Sequence, residues 1–448
     1  MEKQVIIVGA GLVGSLWAVY MSKRGYSVKV YERRSDVRKA EIVAGKSINL
    51  ALSDRGIKAL KNVGIDEEIL RELAIPMTGR IMHDLDGNLS YQPYGKENQA
   101  INSVSRGGLN IKMMNLAEEA GDVEILYNHE CLGVDFESST AKFLNTETGE
   151  QVTAEAEVIF ACDGAFSAVR YESMQKQARF NYSQRYIEDG YKELLLPAKA
   201  DGSYQLDKNA LHIWPRGKFM LIALANDDGS FTCTLFMPYE GSQYSFDSLT
   251  SDEKVNEFFQ NVFPDFHKMM PNLIENWHQN PLSGLAIVRC FPWRYNKTVL
   301  MGDAAHATVP FYGQGMNAGF EDCSVMHELI EKHGENWEVV FEEFQRIRKP
   351  NGDAIQDLSM HNYHVMRDFV SDPGFLLQKK IEAKFSEKHP DKWMPLYSQV
   401  TFSEIPYEEA WAVGQKQEAI MKEVMKTPNI DSVWNSQEVE DKILSSLR

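Results

Sequence analysis

Three glycines near the amino terminus have the spacing of a phosphate-binding turn. Gly9, Gly11 and Gly14 follow a short apolar segment typical of a strand and precede a longer apolar segment typical of a helix. In such a turn the first glycine permits the tight bend, the second lets a pyrophosphate approach the backbone, and the third lets the helix pack closely. Glu32 ends a second strand-like segment, where its carboxylate can accept hydrogen bonds from the ribose hydroxyls of an adenosine. The pattern predicts a dinucleotide site.

Residues 299–320 form a second segment with the composition of a binding site. Gly302 and Asp303 follow a predicted buried strand, where an acid can accept hydrogen bonds from sugar hydroxyls. An apolar helix then opens with Gly315, Met316, Asn317 and Ala318. Free backbone N–H groups and the positive end of the helix dipole make such a helix start suited to an anion.

Asp163 ends a third strand-like segment and is followed by Gly164. The backbone around such an aspartate can approach a cofactor. An ordinary structural turn, in which Asp163 faces Arg170, is equally compatible with the sequence.

The elements that must position these residues are spread over the whole chain. A nucleotide-binding unit that starts at residue 4 and resumes near residue 299 is interrupted by a long insertion, which favours FAD over NAD as the dinucleotide. Asp86 and Gly87 separate two strand-like segments and predict a hairpin. Alternating apolar and polar residues between about 175 and 290 predict an antiparallel sheet with one helix at 253–259. A helix is predicted to begin at 103–106, and the chain after residue 352 reads as helices, the first at 357–369.

The predicted fold is therefore α/β, with three domains. A discontinuous Rossmann-like FAD-binding domain comprises residues 1–75, 98–175 and 286–350. An inserted antiparallel β-sheet substrate domain comprises residues 76–97 and 176–285. A C-terminal helical domain comprises residues 351–448.

Composition excludes several other classes of protein. The 448 residues carry a net charge of −17, which argues against a nucleic-acid partner. Five scattered cysteines without a CxxC pair predict neither disulfides nor a zinc site, and they favour a cytoplasmic location. We expect no signal peptide and no membrane anchor, because the chain enters a strand at once and has no long apolar segment.

Nine segments of the chain resemble those of a known family. GAGLVG with Glu32, CDGAFSAVR and MGDAAHATVPFYGQGMN are similar to the three signatures of the single-component flavin-dependent aromatic hydroxylases. Six further segments resemble, more specifically, the members of that family that hydroxylate L-kynurenine. They are SINLALSDRG, IPMTGRIMHDLDG, QPYG, INSVSRGGLN, HNYHVMRD and PLYSQVTFSEIPY.

The resemblance implies a reaction. NADPH would reduce bound FAD, O₂ would add to give a flavin C4a-hydroperoxide, and one oxygen would enter the aniline ring of L-kynurenine to give 3-hydroxykynurenine. The cofactor carries this chemistry, so no side chain is assigned as a catalytic residue. No metal ligand is expected, and His83 and His306 are interpreted as structural.

The resemblance also implies site residues. Arg80 and Tyr94 would bind the substrate carboxylate, with Asn362 and Tyr397 as further substrate contacts, and Phe311 and Tyr312 would lie between flavin and substrate. The family's cofactor positions fall, besides residues already named, on Val13, Arg34, Ala51, Arg106 and Leu132. The protein would be a monomer or a homodimer.

Other functions remain open from sequence. The nearest alternative is a hydroxylase of another aromatic amino acid or aromatic amine, because Arg80 and Tyr94 would read a carboxylate and not a ring. A flavin-dependent reductase or halogenase is a second, although the WxWxIP motif expected of a halogenase does not occur. A non-enzymatic flavin-bearing module is a third.

Overall fold

A computed structural model describes residues 3–39, 49–95, 99–366 and 372–447. The ends of two segments used above, residues 47–48 and 367–368, lie outside these ranges, as does the predicted helix end at residue 369.

Strands occupy the first two thirds of the chain. They are β1 Gln4–Val8, β2 Ser27–Tyr31, β3 Leu50–Leu52, β4 Ile75–Met77, β5 Gly79–His83, β6 Leu89–Pro93, β7 Ile101–Val104, β8 Val123–Leu126, β9 His129–Asp135, β10 Thr140–Asn145, β11 Gln151–Glu155, β12 Val158–Ala161, β13 Asn181–Leu196, β14 Ala210–Arg216, β15 Phe219–Ala225, β16 Phe231–Pro238, β17 Leu282–Phe291, β18 Arg294–Tyr295 and β19 Thr298–Leu300.

Helices connect the strands and make up the described part of the chain after residue 315. They are α1 Leu12–Lys23, α2 Asp54–Asn62, α3 Asp66–Leu73, α4 Arg106–Glu119, α5 Asp252–Val262, α6 Pro264–Met269, α7 Leu273–Gln279, α8 Asp303–His306, α9 Gly315–His333, α10 Trp337–His364, α11 Pro373–Lys388, α12 Leu396–Thr401, α13 Tyr407–Val424, α14 Ile430–Val433 and α15 Gln437–Ser446. A single turn at Pro310–Tyr312 precedes α9.

The nucleotide-binding unit is built on a six-stranded sheet in the order β18–β19–β12–β1–β2–β8. All its pairs are parallel except β18 with β19. Val5, Ile6 and Ile7 of the central strand β1 are fully buried, as expected where helices cover both faces of a parallel sheet. Because β12 and β19 enter this sheet from distant parts of the chain, the predicted discontinuous α/β fold is confirmed.

A seven-stranded sheet in the order β17–β13–β16–β15–β14–β5–β6 forms the inserted unit. The predicted hairpin is present as β5 and β6, and Gly87 in its turn has a φ of 84°. The sheet is not wholly antiparallel, however, because the hairpin joins its edge with β5 parallel to β14. The helical layer behind it is also larger than predicted, with α6 and α7 following α5.

Two helix starts differ from the sequence prediction. Ser103 and Val104 belong to β7, which is held between β3 and β4, so α4 begins only at Arg106, with the Ser105 hydroxyl accepting a hydrogen bond from Gly108 N at 3.3 Å. Helix α10 begins at Trp337 and continues through Pro350 to His364, across the predicted domain boundary at 350/351. Buried residues on both sides of Pro350 keep this helix packed despite the lost N–H donor.

Within the described ranges, no helix combines the length and apolar character needed to cross a bilayer. The five cysteines are all free and buried.

Candidate active site

One large cavity lies at the carboxyl ends of the parallel strands, where α/β folds bind ligands. Its volume is about 980 Å³, at the upper end for small-molecule and cofactor sites. The β1–α1 turn, the start of α4, the segment before α9, one face of the seven-stranded sheet and the helices α10 and α12 all contribute to its wall.

The cavity brings together many of the residues predicted from sequence. Its wall includes Gly11, Val13, Arg34, Ala51, Arg106, Asp303, Gly315 and Met316 of the predicted cofactor set, and Arg80, Tyr94, Phe311, Tyr312, Asn362 and Tyr397 of the predicted substrate set. The wall does not include Gly9, Gly14, Glu32, Leu132, Asp163, Gly302, Asn317 or Ala318.

The three glycines of the β1–α1 turn have different surroundings. Gly9 has a φ of 98°, and a Cβ there would lie 2.7 Å from the carbonyl oxygen of Cys162. A Cβ on Gly14 would lie 2.0 Å from the Gly9 carbonyl oxygen. A Cβ on Gly11 would meet no atom within 4 Å, although Gly11 lines the cavity. The first and third glycines therefore shape the turn, and the second leaves open a cradle that a side chain would fill.

Two helices start at the cavity wall without a side-chain cap. Among the described residues, the N-cap residues of α1 and α9, Gly11 and Gln314, make no side-chain hydrogen bond to the first turn, and Gly11 and Gly315 line the cavity. The first N–H groups of a helix have no intrahelical partner. Uncapped helix starts are suited to phosphate and other negative groups, so this wall fits the diphosphate of FAD.

Glu32 lies behind this wall. Its Oε2 accepts a hydrogen bond from Ala10 N at 2.9 Å, and its Oε1 accepts from Arg34 N at 2.9 Å and Arg34 Nε at 2.7 Å. Burial raises the pKa of Glu32, but the hydrogen bonds and charge of Arg34 outweigh it and the net pKa is lowered. The carboxylate thus stabilises the β1–α1 turn through its hydrogen bond from Ala10 N. Its predicted contact with the ribose stays a prediction.

Asp303 enters the cavity from a turn that depends on glycine. It is the first residue of the short helix α8 and lines the cavity. The preceding Gly302 has a φ of 59° and a ψ of −141°, and a Cβ there would lie 2.9 Å from Val13 Cγ2. Asp322 accepts a hydrogen bond from Gly302 N at 2.7 Å and fixes this turn.

Asn317 and Asp163 act on the backbone next to the cavity. Asn317 Oδ1 accepts from Ser53 N at 3.0 Å, and its Nδ2 donates to Ala51 O at 2.8 Å, which ties β3 to α9. Asp163 Oδ2 accepts from Val169 N at 3.2 Å, while its Oδ1 is buried without a hydrogen bond among the described residues. Leu132, on β9, is 39% exposed and lies away from the cavity.

Arg80 occupies the other end of the cavity. It faces Gln92 across the β5–β6 hairpin, and its Nε donates to Gln92 Oε1 at 2.9 Å. Its Nη atoms make no hydrogen bond to the part of the chain that the structure describes. Within the described residues the hairpin therefore holds the guanidinium by one nitrogen and leaves the two Nη atoms available, an arrangement suited to a bidentate contact with a carboxylate.

Three tyrosines stack beside Arg80. Tyr94 and Tyr397 have ring centroids 5.2 Å apart with planes at 14°, and Tyr312 stacks on Tyr397 at 5.7 Å and 17°. Burial raises the pKa of all three hydroxyls, that of Tyr397 to about 12, although the charge of Arg80 acts in the opposite direction. These hydroxyls therefore stay protonated at neutral pH and can donate hydrogen bonds.

An apolar wall that the sequence analysis did not assign completes this end. It comes from the inner face of β14–β16, with Leu211, Ile213, Met220, Ile222, Leu224 and Phe236 lining the cavity. Phe311 closes it, packing against Phe236 at 5.0 Å and Tyr363 at 4.4 Å between ring centroids. The period-two spacing of the residues on β14 and β15 was the available signal, because alternate residues of a strand share a face.

Asn362 joins the helical unit to this wall. Its Nδ2 donates to Phe311 O at 2.6 Å. A carbonyl oxygen only accepts, so the amide orientation is fixed. The Asn362 Oδ1 takes no hydrogen bond from any described residue and remains an acceptor.

The two histidines interpreted as structural both contact protein groups. His83 Nδ1 lies 3.0 Å from Asp265 Oδ2, and its Nε2 lies 2.9 Å from His212 Nδ1. His212 Nε2 lies 2.8 Å from the Asp207 carbonyl oxygen and so carries the proton. His306 contacts Asp322. The described residues hold no group of three or more potential ligands that could bind a metal ion.

The chain matches a family model described as an FAD binding domain over residues 2–357. The fold and this match together define a flavoprotein. A kynurenine 3-monooxygenase of Flavobacterium johnsoniae is 52% identical over 446 residues, which is 99% of each chain. The kynurenine 3-monooxygenase of Sus scrofa is 42% identical and covers 93% of this chain and 88% of its own. The chain belongs to the kynurenine 3-monooxygenase family and is an FAD-dependent aromatic monooxygenase.

Solved structures agree on the fold. The tetrameric form of 2-methyl-3-hydroxypyridine-5-carboxylic acid oxygenase has a TM-score of 0.67 at 19% identity, over 84% of this chain and 95% of its own. PqsL of Pseudomonas aeruginosa in complex with 2-aminobenzoylacetate has a TM-score of 0.65 at 17% identity, over 82% and 97%. The predicted FAD cofactor is confirmed by the family match, and NADPH and O₂ are the standard co-substrates of this enzyme class.

Proposed function

We propose that the protein hydroxylates L-kynurenine to 3-hydroxykynurenine with FAD, NADPH and O₂. The observation that carries the proposal is the polarity of the cavity beyond the cofactor wall. At the substrate end, the Nη pair of Arg80, which makes no hydrogen bond to a described residue, and the protonated tyrosines form a polar side, and the apolar face of β14–β16 forms the other side. An aromatic amino acid has the same two-ended chemistry. Curated relatives named for this reaction match nearly the whole chain.

The chain's own residues would divide the binding work between the two ends. Gly11 and the uncapped start of α1 would hold the FAD diphosphate, and Asp303 would accept hydrogen bonds from its sugar hydroxyls. When bound, FAD supplies the two-electron redox chemistry and the activation of O₂. Phe311 and the apolar wall would exclude water from the ring, which protects a reactive oxygen donor from side reactions.

The amino-acid part of the substrate carries two opposite charges, and the cavity offers a group for each. The Nη atoms of Arg80 would bind the carboxylate in bidentate fashion, supported by hydroxyls of the tyrosine stack. The Oδ1 of Asn362 accepts no hydrogen bond from the described residues and would receive the α-ammonium group. The aniline amine of kynurenine already activates its ring, so no strong protein base is required.

A hydroxylase of another aromatic amino acid is the second candidate. The aliphatic side chains of Leu211, Ile213 and Ile222 exclude polar groups but do not recognise one particular ring. The five free, buried thiols are compatible with a cytoplasmic location, which we infer on that basis. The predicted monomeric or homodimeric state stays a prediction.

The test is NADPH oxidation by the purified yellow protein with and without L-kynurenine, with the product identified by mass. We expect a kynurenine-dependent rate and a product heavier by one oxygen atom. A rise in rate with only H₂O₂ formed would contradict kynurenine as the hydroxylated substrate. No response would also contradict it, and a panel of aromatic amino acids would then test the second candidate.

A further inference from the structure

A buried network of charged side chains lies behind the cavity and connects its cofactor end to its substrate end. Its members are His306, Asp322, Arg348, Glu321 and Arg55, and none of them lines the cavity. All but Glu321 are buried, and Glu321 is largely so.

Asp322 lies at the cofactor end of this network. Its Oδ2 accepts hydrogen bonds from Gly302 N and His306 Nε2, each at 2.7 Å, and its Oδ1 accepts from Arg348 Nε at 2.6 Å. Burial raises the pKa of Asp322, but His306 and Arg348 outweigh burial and lower it to about 2. A carboxylate that is charged at neutral pH therefore holds the glycine turn that brings Asp303 to the cavity.

The middle of the network connects two helices. Arg348 on α10 donates through Nη1 to Glu321 Oε2 at 2.6 Å and through Nη2 to Ala318 O at 3.0 Å, both on α9. The other oxygen of Glu321 accepts from Arg55 Nη1 at 2.6 Å. Arg55 lies on α2, so three helices meet at these two guanidinium groups.

Arg55 lies at the substrate end of the network. Its Nε donates to Val400 O at 3.3 Å, and its Nη2 donates to Ile405 O. Val400 lies in α12, the short helix that carries Tyr397. The guanidinium also lies 4.1 Å from the centre of the Tyr407 ring, and the Tyr407 hydroxyl donates to Gln314 Oε1 at 3.0 Å, at the start of α9.

Stability alone does not account for this arrangement. A buried ion pair commonly contributes no more than well-packed apolar residues of the same volume would, because each charge must be taken out of water. What the network adds is geometry, since each carboxylate and guanidinium accepts or donates in fixed directions. Its contacts end on the Gly302 backbone at one side and on the carbonyl of Val400 at the other.

We propose that Asp322 and Arg55 are positioning residues at the two ends of one network, which holds the cofactor turn and the substrate helix α12 in register. Asp322 acts on the cofactor through Gly302 and Asp303. Arg55 acts on the substrate through the helix that carries Tyr397. The second statement rests on the proposed function, because its readout is the KM for L-kynurenine.

Two substitutions separate the ends. Arg55→Met should raise the KM for L-kynurenine at least fivefold while FAD release from the diluted holoenzyme, followed by flavin fluorescence, changes less than twofold. Asp322→Asn should speed FAD release at least fivefold. Arg55→Lys, which keeps a charge beside Glu321, should restore at least half of the lost affinity for substrate. The matched control is Arg294→Met, which removes the exposed Arg294–Glu342 pair and should change neither quantity.

A lower melting temperature in Arg55→Met and Asp322→Asn with unchanged KM and unchanged FAD release would overturn the proposal, since a merely structural network predicts only that. Equal values for Arg55→Lys and Arg55→Met would also overturn it. If Asp322→Asn is insoluble, Glu321→Gln interrupts the network at its middle and should change both readouts. If the unsubstituted enzyme does not respond to kynurenine, the proposed function fails, while FAD release still tests the cofactor end.

Discussion

The two ends of the cavity are built from different parts of the polypeptide. The cofactor end presents backbone at the Gly11 turn and at the uncapped starts of α1 and α9. The substrate end consists of side chains from separate segments, Arg80 on the hairpin, Tyr312 before α9 and Tyr397 on α12. Backbone N–H groups suit a cofactor whose phosphates are always the same. Side chains allow the recognised ring to change without altering the cofactor fold.

This difference predicts opposite sensitivities to substitution, and the largest effect should fall on the backbone end. In Gly14→Ala, the new Cβ would lie 2.0 Å from the Gly9 carbonyl oxygen, so the turn must move. We expect a loss of about 3 kcal/mol or more in the free energy of unfolding, together with loss of bound FAD. Urea unfolding and the flavin absorbance of the purified protein measure the two.

Gly11→Ala is the matched partner of that change. Its Cβ would meet no atom of the described residues within 4 Å and would project into the open cradle. The apoprotein should therefore keep its stability, while the affinity for FAD falls at least tenfold, about 1.4 kcal/mol. Similar FAD affinity in the Gly11→Ala and unsubstituted proteins would contradict a cradle at this glycine.

A smaller effect, confined to substrate, is expected at the side-chain end. Arg80→Met removes the free Nη pair and keeps much of the length of the side chain. Loss of a charge-assisted bidentate contact should raise the KM for L-kynurenine at least tenfold, at a cost of roughly 1.5–3 kcal/mol, with FAD content unchanged. The control is Arg185→Met, an exposed arginine of β13 in the same sheet. An unchanged KM would remove Arg80 from the carboxylate site.

The smallest effect concerns the sheet beneath the substrate end. The net pKa of His212 is lowered to about 4, because burial lowers it, the hydrogen bond to the Asp207 carbonyl oxygen opposes this, and the nearby His83 adds to the lowering. The folded protein therefore binds this proton less readily than the unfolded chain, whose histidines titrate near 6.5. The contribution of neutral, buried His212 to the free energy of unfolding is present above about pH 6.5 and is lost as the pH falls towards 4.

Between pH 7 and pH 5.5 this linkage should remove about 1 kcal/mol from the free energy of unfolding. Urea unfolding at the two pH values measures it. His212→Asn cannot be protonated and should show a smaller pH difference, whereas His278→Asn, at an exposed histidine, should show the full one. If His212→Asn keeps the full difference, another group is responsible.

The same contrast explains what the sequence could predict. The positive φ angles of Gly9 and Gly302 and the close approach of Gly14 to the Gly9 carbonyl oxygen belong to single turns, which local spacing could predict. The contacts of Gly9 with Cys162 and of Gly302 with Val13 depend on the tertiary fold. The helices α6 and α7 were missed because their apolar residues cover the back of a sheet whose strands lie elsewhere in the chain. Helix α10 was predicted to start only at residue 357, whereas tertiary packing keeps the helix continuous from Trp337 through Pro350.

At the cavity, the resemblance to a family predicted substrate contacts for Arg80, Tyr94, Asn362 and Tyr397, but not the arrangement in which they line one wall. The stacking of Tyr397 between two other tyrosines depends on α12 docking against the hairpin, which no local spacing encodes. The same is true of the ion pair between Arg55 and Glu321, whose partners are far apart in the chain. Pairings of this kind are set by the tertiary fold.

The burial of all five cysteines has a practical consequence for handling the enzyme. Burial raises the pKa of every one of these thiols, so almost no thiolate exists at neutral pH, and thiolate is the form that alkylating agents and peroxide attack. The folded protein should thus be inert to iodoacetamide. Each thiol becomes reactive only when the structure around it opens. The rate of labelling at each cysteine therefore reports how often the element that covers it unfolds locally.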